Sequence, residues 1–359
     1  MRKLILLALL LPAALYSAEA TISDVALSGC KPEGVTVTYS ASDSSYETID
    51  WRVGGTSVCT GFFPINAGSG ADRYKNYTSV TGISGTITSN ITFTSGDGYD
   101  GYMAMSCTAS GAQYFDTGVT VNTALPYTIS LWVKIYSNSG AYCDIFGLAG
   151  GTGFRYERVS SNNDFRLAYS TGYRSDATTL SYGVWHHVVA GANGTKYFLY
   201  IDNVSATGLG TDDKGAISAH MKIFDVHFNR AMVGSVDDIR IYNYALSTDE
   251  IAWLYHNRKA SQPVSRISLG ETWEAVVTGN NGVNDGTPVT SNALTIQEVC
   301  ATFTFTLTPT PTFTSTPTFT VTDTPTPTFT TTPTFTATPT ATPTRYAPRI
   351  NVDKNEGGF

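Results

Sequence analysis

Between Tyr114 and Tyr244 the chain repeats one pattern: a short apolar or alternating run, closed by Gly, Asn, Asp or Ser, recurring every 10 to 15 residues. YTISLWVKI, AYCDIFGLA, DFRLAYS, WHHVVAGA, KYFLYIDN and VDDIRIYN have the length and the β-branched and aromatic content of strands, and none keeps a helical period. One segment breaks the pattern. ALSTDEIAWLYHN (Ala245 to Asn257) opens on Ser247 with Glu250 three residues on, a capping box, and Ile251, Leu254 and Tyr255 make an apolar stripe at helical spacing. A long series of strands closed by one short helix predicts an all-β sandwich.

The flanks read the same way. VTVTYSAS (Val35 to Ser42) and TIDWRV (Thr48 to Val53) are strands on the N-terminal side, and ETWEAVVTG and SNALTIQEV, separated by the turn NNGVNDG, are strands after Ser265. The stretch from Cys59 to Ala109 is rich in Gly, Ser and Thr, with one strand, GTITSNITF, and the loop SGDGYDGY. Charged residues make up 14% of the chain, against about a quarter in an ordinary globular protein, and 33 Gly and 21 Tyr suit an exported β-sheet protein. Its net charge of -7 leaves no basic field to neutralise phosphates, which excludes nucleic acid as a partner and disfavours anionic membranes.

Residues 1–20 carry Arg2 and Lys3, the apolar run Leu4 to Leu11, then Ser17, Ala18 and Ala20, the layout of a secretory signal peptide. No later stretch is apolar for long enough to span a bilayer, so a secreted or surface-bound product without an integral membrane segment is expected. Beyond Cys300 the composition turns to TFTFTLTPTPTFTSTPTFT and its continuation. Frequent proline forbids sheet ladders there, so residues 301–347 read as a disordered Thr/Pro-rich stalk, with Phe303, Phe305 and Phe313 among its unusual aromatics and 348–359 as a tail. Five cysteines allow two bridges and leave one thiol. Cys30 and Cys300 flank the globular part, Cys59 and Cys107 flank the loop-rich stretch, and Cys143, inside an apolar run, reads as a buried thiol.

TISLWVKI, WHHVVAGANGTKYFLYIDN and GSVDDIRIYNYALSTDEIAWLYH stand in the order and spacing of an early core strand, a central hairpin, and the last strand with closing helix of one superfamily. On these segments the chain from about Ala112 to Asn257 resembles the laminin-G-like, concanavalin A-like lectin/glucanase superfamily. Trp132 and Trp185 suit facing sheets, and Asp202-Asn203 suits a hairpin turn. DWRV before this module and GETWEAVVTGNNGVNDGTPVTSNALTI after it look like two halves of one immunoglobulin-like or fibronectin-like sandwich, since neither flank alone has enough strands to close a core. The expectation is a concanavalin A-like jelly-roll β-sandwich (59–260) inserted in a smaller immunoglobulin-like β-sandwich (21–58 and 261–300).

The resemblance implies a binding or adhesion protein that recognises a glycan or a surface protein; a glycoside hydrolase and a structural spacer are the alternatives. Retaining glycosidases need two carboxyls about 5 Å apart, and the Glu-x-Asp-x-Glu strand motif of relatives is absent. Glu157, Glu250, Glu271 and Glu274 are the acids on elements, Glu250 as a helix cap. Asp237 and Asp238 are adjacent, hence on opposite faces of a regular strand, and the chain is expected not to be an enzyme. His186 and His187 belong to the WHH pattern that the superfamily uses structurally, one packed and one at the surface. Relatives hold calcium with loop oxygens; here CTASGAQYFDTG keeps Asp116, and Asp116 and Asp237 are the candidate metal ligands. Sugar binding needs aromatic faces and planar hydrogen-bonding groups. FRLAYSTGYRSD supplies Tyr169, Tyr173, Arg174 and Asp176, and SGDGYDGY supplies Tyr99 and Tyr102, as rims of a groove. Asn76, Asn90, Asn193 and Asn203 begin glycosylation sequons.

Overall fold

The computed structural model describes residues 19–298, apart from residue 32 and segments at 66–72, 109–111, 138–141, 149–153, 160–163, 170–171, 207–216, 225, 227–229 and 257–258. Cys300, the stalk, the tail and all but the last two residues of the leader lie outside them. The chain begins with strands β1 (Thr21–Cys30), β2 (Gly34–Ser42), β3 (Tyr46–Val53), β4 (Thr56–Ser57), β5 (Gly61–Phe63), β6 (Thr86–Ile87), β7 (Ile91–Ser95) and β8 (Met103–Cys107). It continues with β9 (Tyr114–Asn122), β10 (Tyr127–Ser137), β11 (Tyr142–Leu148), β12 (Phe154–Val159), β13 (Asp164–Tyr169), β14 (Gly172–Thr179), β15 (Trp185–Ala192) and β16 (Tyr197–Ile201). Strands β17 (Val204–Ser205), β18 (Ser218–Phe224) and β19 (Val233–Tyr242) precede α1 (Thr248–Tyr255). The last strands are β20 (Ser261–Gln262), β21 (Thr272–Asn280), β22 (Val289–Thr290) and β23 (Leu294–Thr295).

Two large antiparallel sheets carry the expected all-β sandwich. One has eight strands, in the order β17-β16-β15-β10-β19-β8-β7 with β5 on β19; the other runs β14-β13-β12-β11-β18-β9-β6. Alternation decides what lies between them. Ile129, Leu131 and Val133 of β10 face Phe146, Tyr156, Phe165 and Leu167 in one buried cluster, while Thr128, Ser130 and Trp132 take the other face of β10. The hairpin between β16 and β17 turns on Asp202 (φ 51°) and Asn203 (φ 64°), the left-handed pair whose twist matches that of the strands. Helix α1 starts as its sequence dictates: the Ser247 side chain accepts from the Glu250 amide and Glu250 accepts from the Ser247 amide.

The two ends of the described chain meet in a second, smaller body. Strand β3 pairs with β21 from Tyr46↔Asn280 to Val53↔Trp273, and β1, β2 and β20 form a separate sheet. Ile22, Leu27, Val35 and Val37 pack with Ile49, Trp51, Trp273 and Val277. The Trp51 and Trp273 rings meet edge-on at 6.2 Å, and Trp273 is fully buried.

The cysteines part from expectation at one pair. Cys59 and Cys107 are not bridged to each other. Cys107 pairs with Gly234 at the start of β19, whereas Thr60, next to Cys59, donates its amide to Ile241 near the end of that strand. Gly234 and Ile241 face Ile135 and Ile129, six residues apart on β10, which sets the two positions about 20 Å apart, far beyond the roughly 7 Å limit between bridged α-carbons. Burial pushes the Cys59 thiol up to about 11. Cys143 is a buried thiol, as read from sequence.

Candidate binding site

Strands β11, β12 and β13 place a charged cluster on the face of their sheet turned away from the core. The register sets Asp144 opposite Glu157 and Glu157 opposite Arg166. Tyr156, Phe165 and Leu167 fill the core side, so their neighbours Arg155, Glu157 and Arg166 take the outer side. Glu157 Oε1 accepts from Arg166 Nε at 2.5 Å, and Oε2 accepts from Arg155 Nε at 2.9 Å. Arg230 Nη1 lies 3.7 Å from Glu157 Oε2, and Arg155 Nε lies 3.5 Å from Asp144 Oδ1. The Tyr142 ring carries the Arg166 and Arg230 guanidinium groups at 4.4 and 5.0 Å. Asp144 and Glu157 are both 0% exposed. A buried carboxylate costs several kcal/mol unless it is paired, and here the arginines supply the pairing.

The same face continues across the sheet as a row. Thr86, Asp116, Lys222, Gly147, Arg155, Ala168 and Tyr173 stand opposite one another in successive strands from β6 to β14. Lys222 Nζ sits 3.7 Å over the Tyr114 ring. Asp116 Oδ1 accepts from the Gly118 amide at 2.9 Å and lies 3.1 Å from His220 Nδ1. Of the residues expected to rim a groove, Tyr173 holds a register position in this row. Tyr169 is paired with Gly172, Arg174 with Leu167 and Asp176 with Phe165, out of step with it. The side chains of these four lie outside the described residues.

The other candidates belong to the eight-stranded sheet. Tyr99 stacks on Trp132, ring centroids 3.3 Å apart, and Tyr102 packs beside Tyr46. Asp237 is buried and accepts from the Tyr99 amide at 2.9 Å and the Asp238 amide at 2.7 Å. Burial, reinforced by the charges of Asp100 and Asp238, pushes its carboxyl well above the usual range. The expectation that Asp237 and Asp238 point to opposite faces fails. Ser130 is paired with Arg240 but Trp132 with Asp237, so β19 carries one extra residue there, and Asp238 takes a left-handed φ of 46°. Such a bulge re-aims side chains, and both aspartates line one cleft with Glu47, Asp100, Arg240 and Lys259.

Asp116 and Asp237 thus sit in different sheets, and among the described residues no three His, Cys, Asp or Glu side chains are grouped to hold a metal ion. His187 is buried with Nε2 bonded to Ser130 Oγ at 2.9 Å; His186, expected at the surface, is half-buried and lies 2.7 Å from Asp202. Sequence reasoning named Glu157 only as one of the acids on elements; Arg155 is its neighbour on the same strand, and the partners Arg166 and Arg230 come from other segments.

Residues 109–252 match the family model of the concanavalin A-like lectin/glucanases superfamily. No curated protein matches the chain. Among similar solved structures is domain 4 of an extracellular GH43 arabinanase from Geobacillus stearothermophilus in complex with arabinotriose, at 19% identity and TM-score 0.42, covering 57% of this chain and 99% of that one. A sialidase of Trypanosoma rangeli matches at 16% identity and TM-score 0.44 over 56% of this chain and 34% of its own. The binding domain of Paraclostridial Mosquitocidal Protein 1 matches at 14% identity and TM-score 0.44, with 55% and 52% covered. The chain therefore spans about a third of the sialidase and about half of the toxin domain. The expectation that the chain is not an enzyme is corrected to this extent: a domain of an arabinanase and a sialidase stand among the similar structures, at low identity and partial coverage. Among the described residues no helix is long and apolar enough to cross a membrane.

Proposed function

We propose that the laminin-G-like module binds carbohydrate on the outer face of its seven-stranded sheet. The observation that carries this is the row from Asp116 through Lys222 and Arg155 to Tyr173, backed by the Glu157 cluster. Guanidinium groups held in place by buried carboxylates meet sugar hydroxyls without further ordering, and the Tyr114 and Tyr142 rings add aromatic surface for C–H patches. In this reading the protein is exported through its leader and works as a surface or extracellular adhesion protein. The smaller body is an immunoglobulin-like host into which the module is inserted, and Cys30 is bridged to Cys300.

A glycan array probed with the full chain tests the reading, with and without a calcium chelator. Binding that is lost in Tyr114→Ala and Tyr173→Ala supports it, and chelation reports on the calcium that relatives use. A blank array, or binding indifferent to both substitutions, refutes it. Hydrolysis is the alternative reading; new reducing ends formed on a bound glycan by the full chain would be its mark.

A further inference from the structure

We infer that the ligand of this face is an anionic glycan, one bearing carboxylate or sulfate groups; the inference rests on the proposed carbohydrate site and names its substrate class. The chain as a whole carries a net charge of -7, yet among the described side chains of this face the cations outnumber the acids: Arg155, Arg166, Arg230 and Lys222 against Asp116, Asp144 and Glu157. The layering matters more than the count. Asp144 and Glu157 have no exposed side-chain surface, whereas the side chains of Arg166, Arg155 and Arg230 are 11%, 13% and 30% exposed. Solvent therefore meets guanidinium groups first, and the carboxylates lie beneath as braces.

Lys222 extends the cationic layer along the row, and Asp116 beside it is engaged by the Gly118 amide and His220. Arg230 is anchored by its own backbone, whose carbonyl accepts from the Asp144 amide at 2.7 Å. Asp144 stands opposite Glu157, and Gly147, which faces Lys222, stands opposite Arg155 two residues away on β12, so the backbones that carry the two outer cations are about 7 Å apart along the strand. Each leans on a tyrosine ring, Arg230 on Tyr142 and Lys222 on Tyr114. Planar guanidinium forks match carboxylate and sulfate oxygens. A local cationic face on an acidic protein draws anions to one spot and repels them elsewhere.

The test uses the full chain with three immobilised polysaccharides: polygalacturonate, dextran sulfate and neutral dextran. Expected is binding to one or both acidic polymers, weakened by salt and reduced at least about tenfold in the Arg230→Gln/Lys222→Gln double variant, as loss of two charged hydrogen bonds implies. Lys196→Gln, at a hairpin tip of the other sheet, should bind as the wild type does. Polygalacturonate and dextran sulfate separate carboxylate from sulfate recognition. Equal or preferred binding of neutral dextran overturns the inference while leaving a carbohydrate site standing; no binding to this panel or to the wider array refutes both. Acidic binding untouched by the double variant also overturns it. If that variant melts early, Lys222→Gln alone, which leaves the arginine cluster intact, carries the same test.

Discussion

Lowering the pH should weaken this protein through one histidine. Burial pushes His187 from 6.5 down to about 4; the nearby carboxylates of Asp238 and Asp202 offset part of that, and Arg240 adds to it. The folded protein refuses a proton that the unfolded chain accepts between those two values, so stability is fully present above about 6.5 and falls as pH drops towards 4. At about 1.4 kcal/mol per pH unit the loss is about 3 kcal/mol. Asp97 and Asp202, held low by Lys134 and His186, give way only below the ordinary carboxylate value of 3.8. Asp50 and Asp237, raised by burial, act in the opposite sense, and they are common to wild type and variant. Urea titrations of the wild type and His187→Gln at about pH 7 and about pH 4 isolate the histidine. The wild type should lose about 3 kcal/mol more than the variant over that interval. Equal losses would show that His187 takes up no proton on unfolding beyond what it already holds, and the reasoning would fail.

Replacing Glu157 by Gln strands three arginines over a buried neutral amide and should cost about 3–5 kcal/mol in a urea midpoint experiment; a change under about 1 kcal/mol would mean that water reaches the cluster. Trp273→Ala empties the centre of the smaller body and should lower stability by about 3–5 kcal/mol, read in the same way. Peptide mapping without reductant should recover Cys30 joined to Cys300, with Cys59 and Cys107 in unlinked peptides; a Cys59–Cys107 peptide would contradict the strand spacing.

The legible parts of the fold are those set by local chemistry. WHHVVAGA and KYFLYIDN became β15 and β16, the Asp202-Asn203 turn closed as expected, and Ser247 and Glu250 capped the helix. What strand alternation could not show is where it breaks. Counting by twos parts Asp237 from Asp238, and a single extra residue in β19 reunites them. The Glu157 cluster was hidden for a different reason: Arg166 is nine residues away in sequence and Arg230 far beyond, so contact depends on loop lengths and on which strands become neighbours. Tyr99 looked like a solvent-facing rim residue because its loop is polar, but a glycine-rich loop can fold back, and its ring lies on Trp132.

The closure of the smaller body by both ends of the described chain has a mechanical side. The Leu27 amide in β1 donates to Asn292 Oδ1 at 2.8 Å, and Lys31 donates its amide to Gln297 at 3.0 Å. A pull applied at the two outer ends therefore runs straight through these strands, from β1 into the segment around β23. The two large sheets hang beside that line of force as a side loop. Tension applied at those ends would reach the two large sheets only after the smaller body had been torn open.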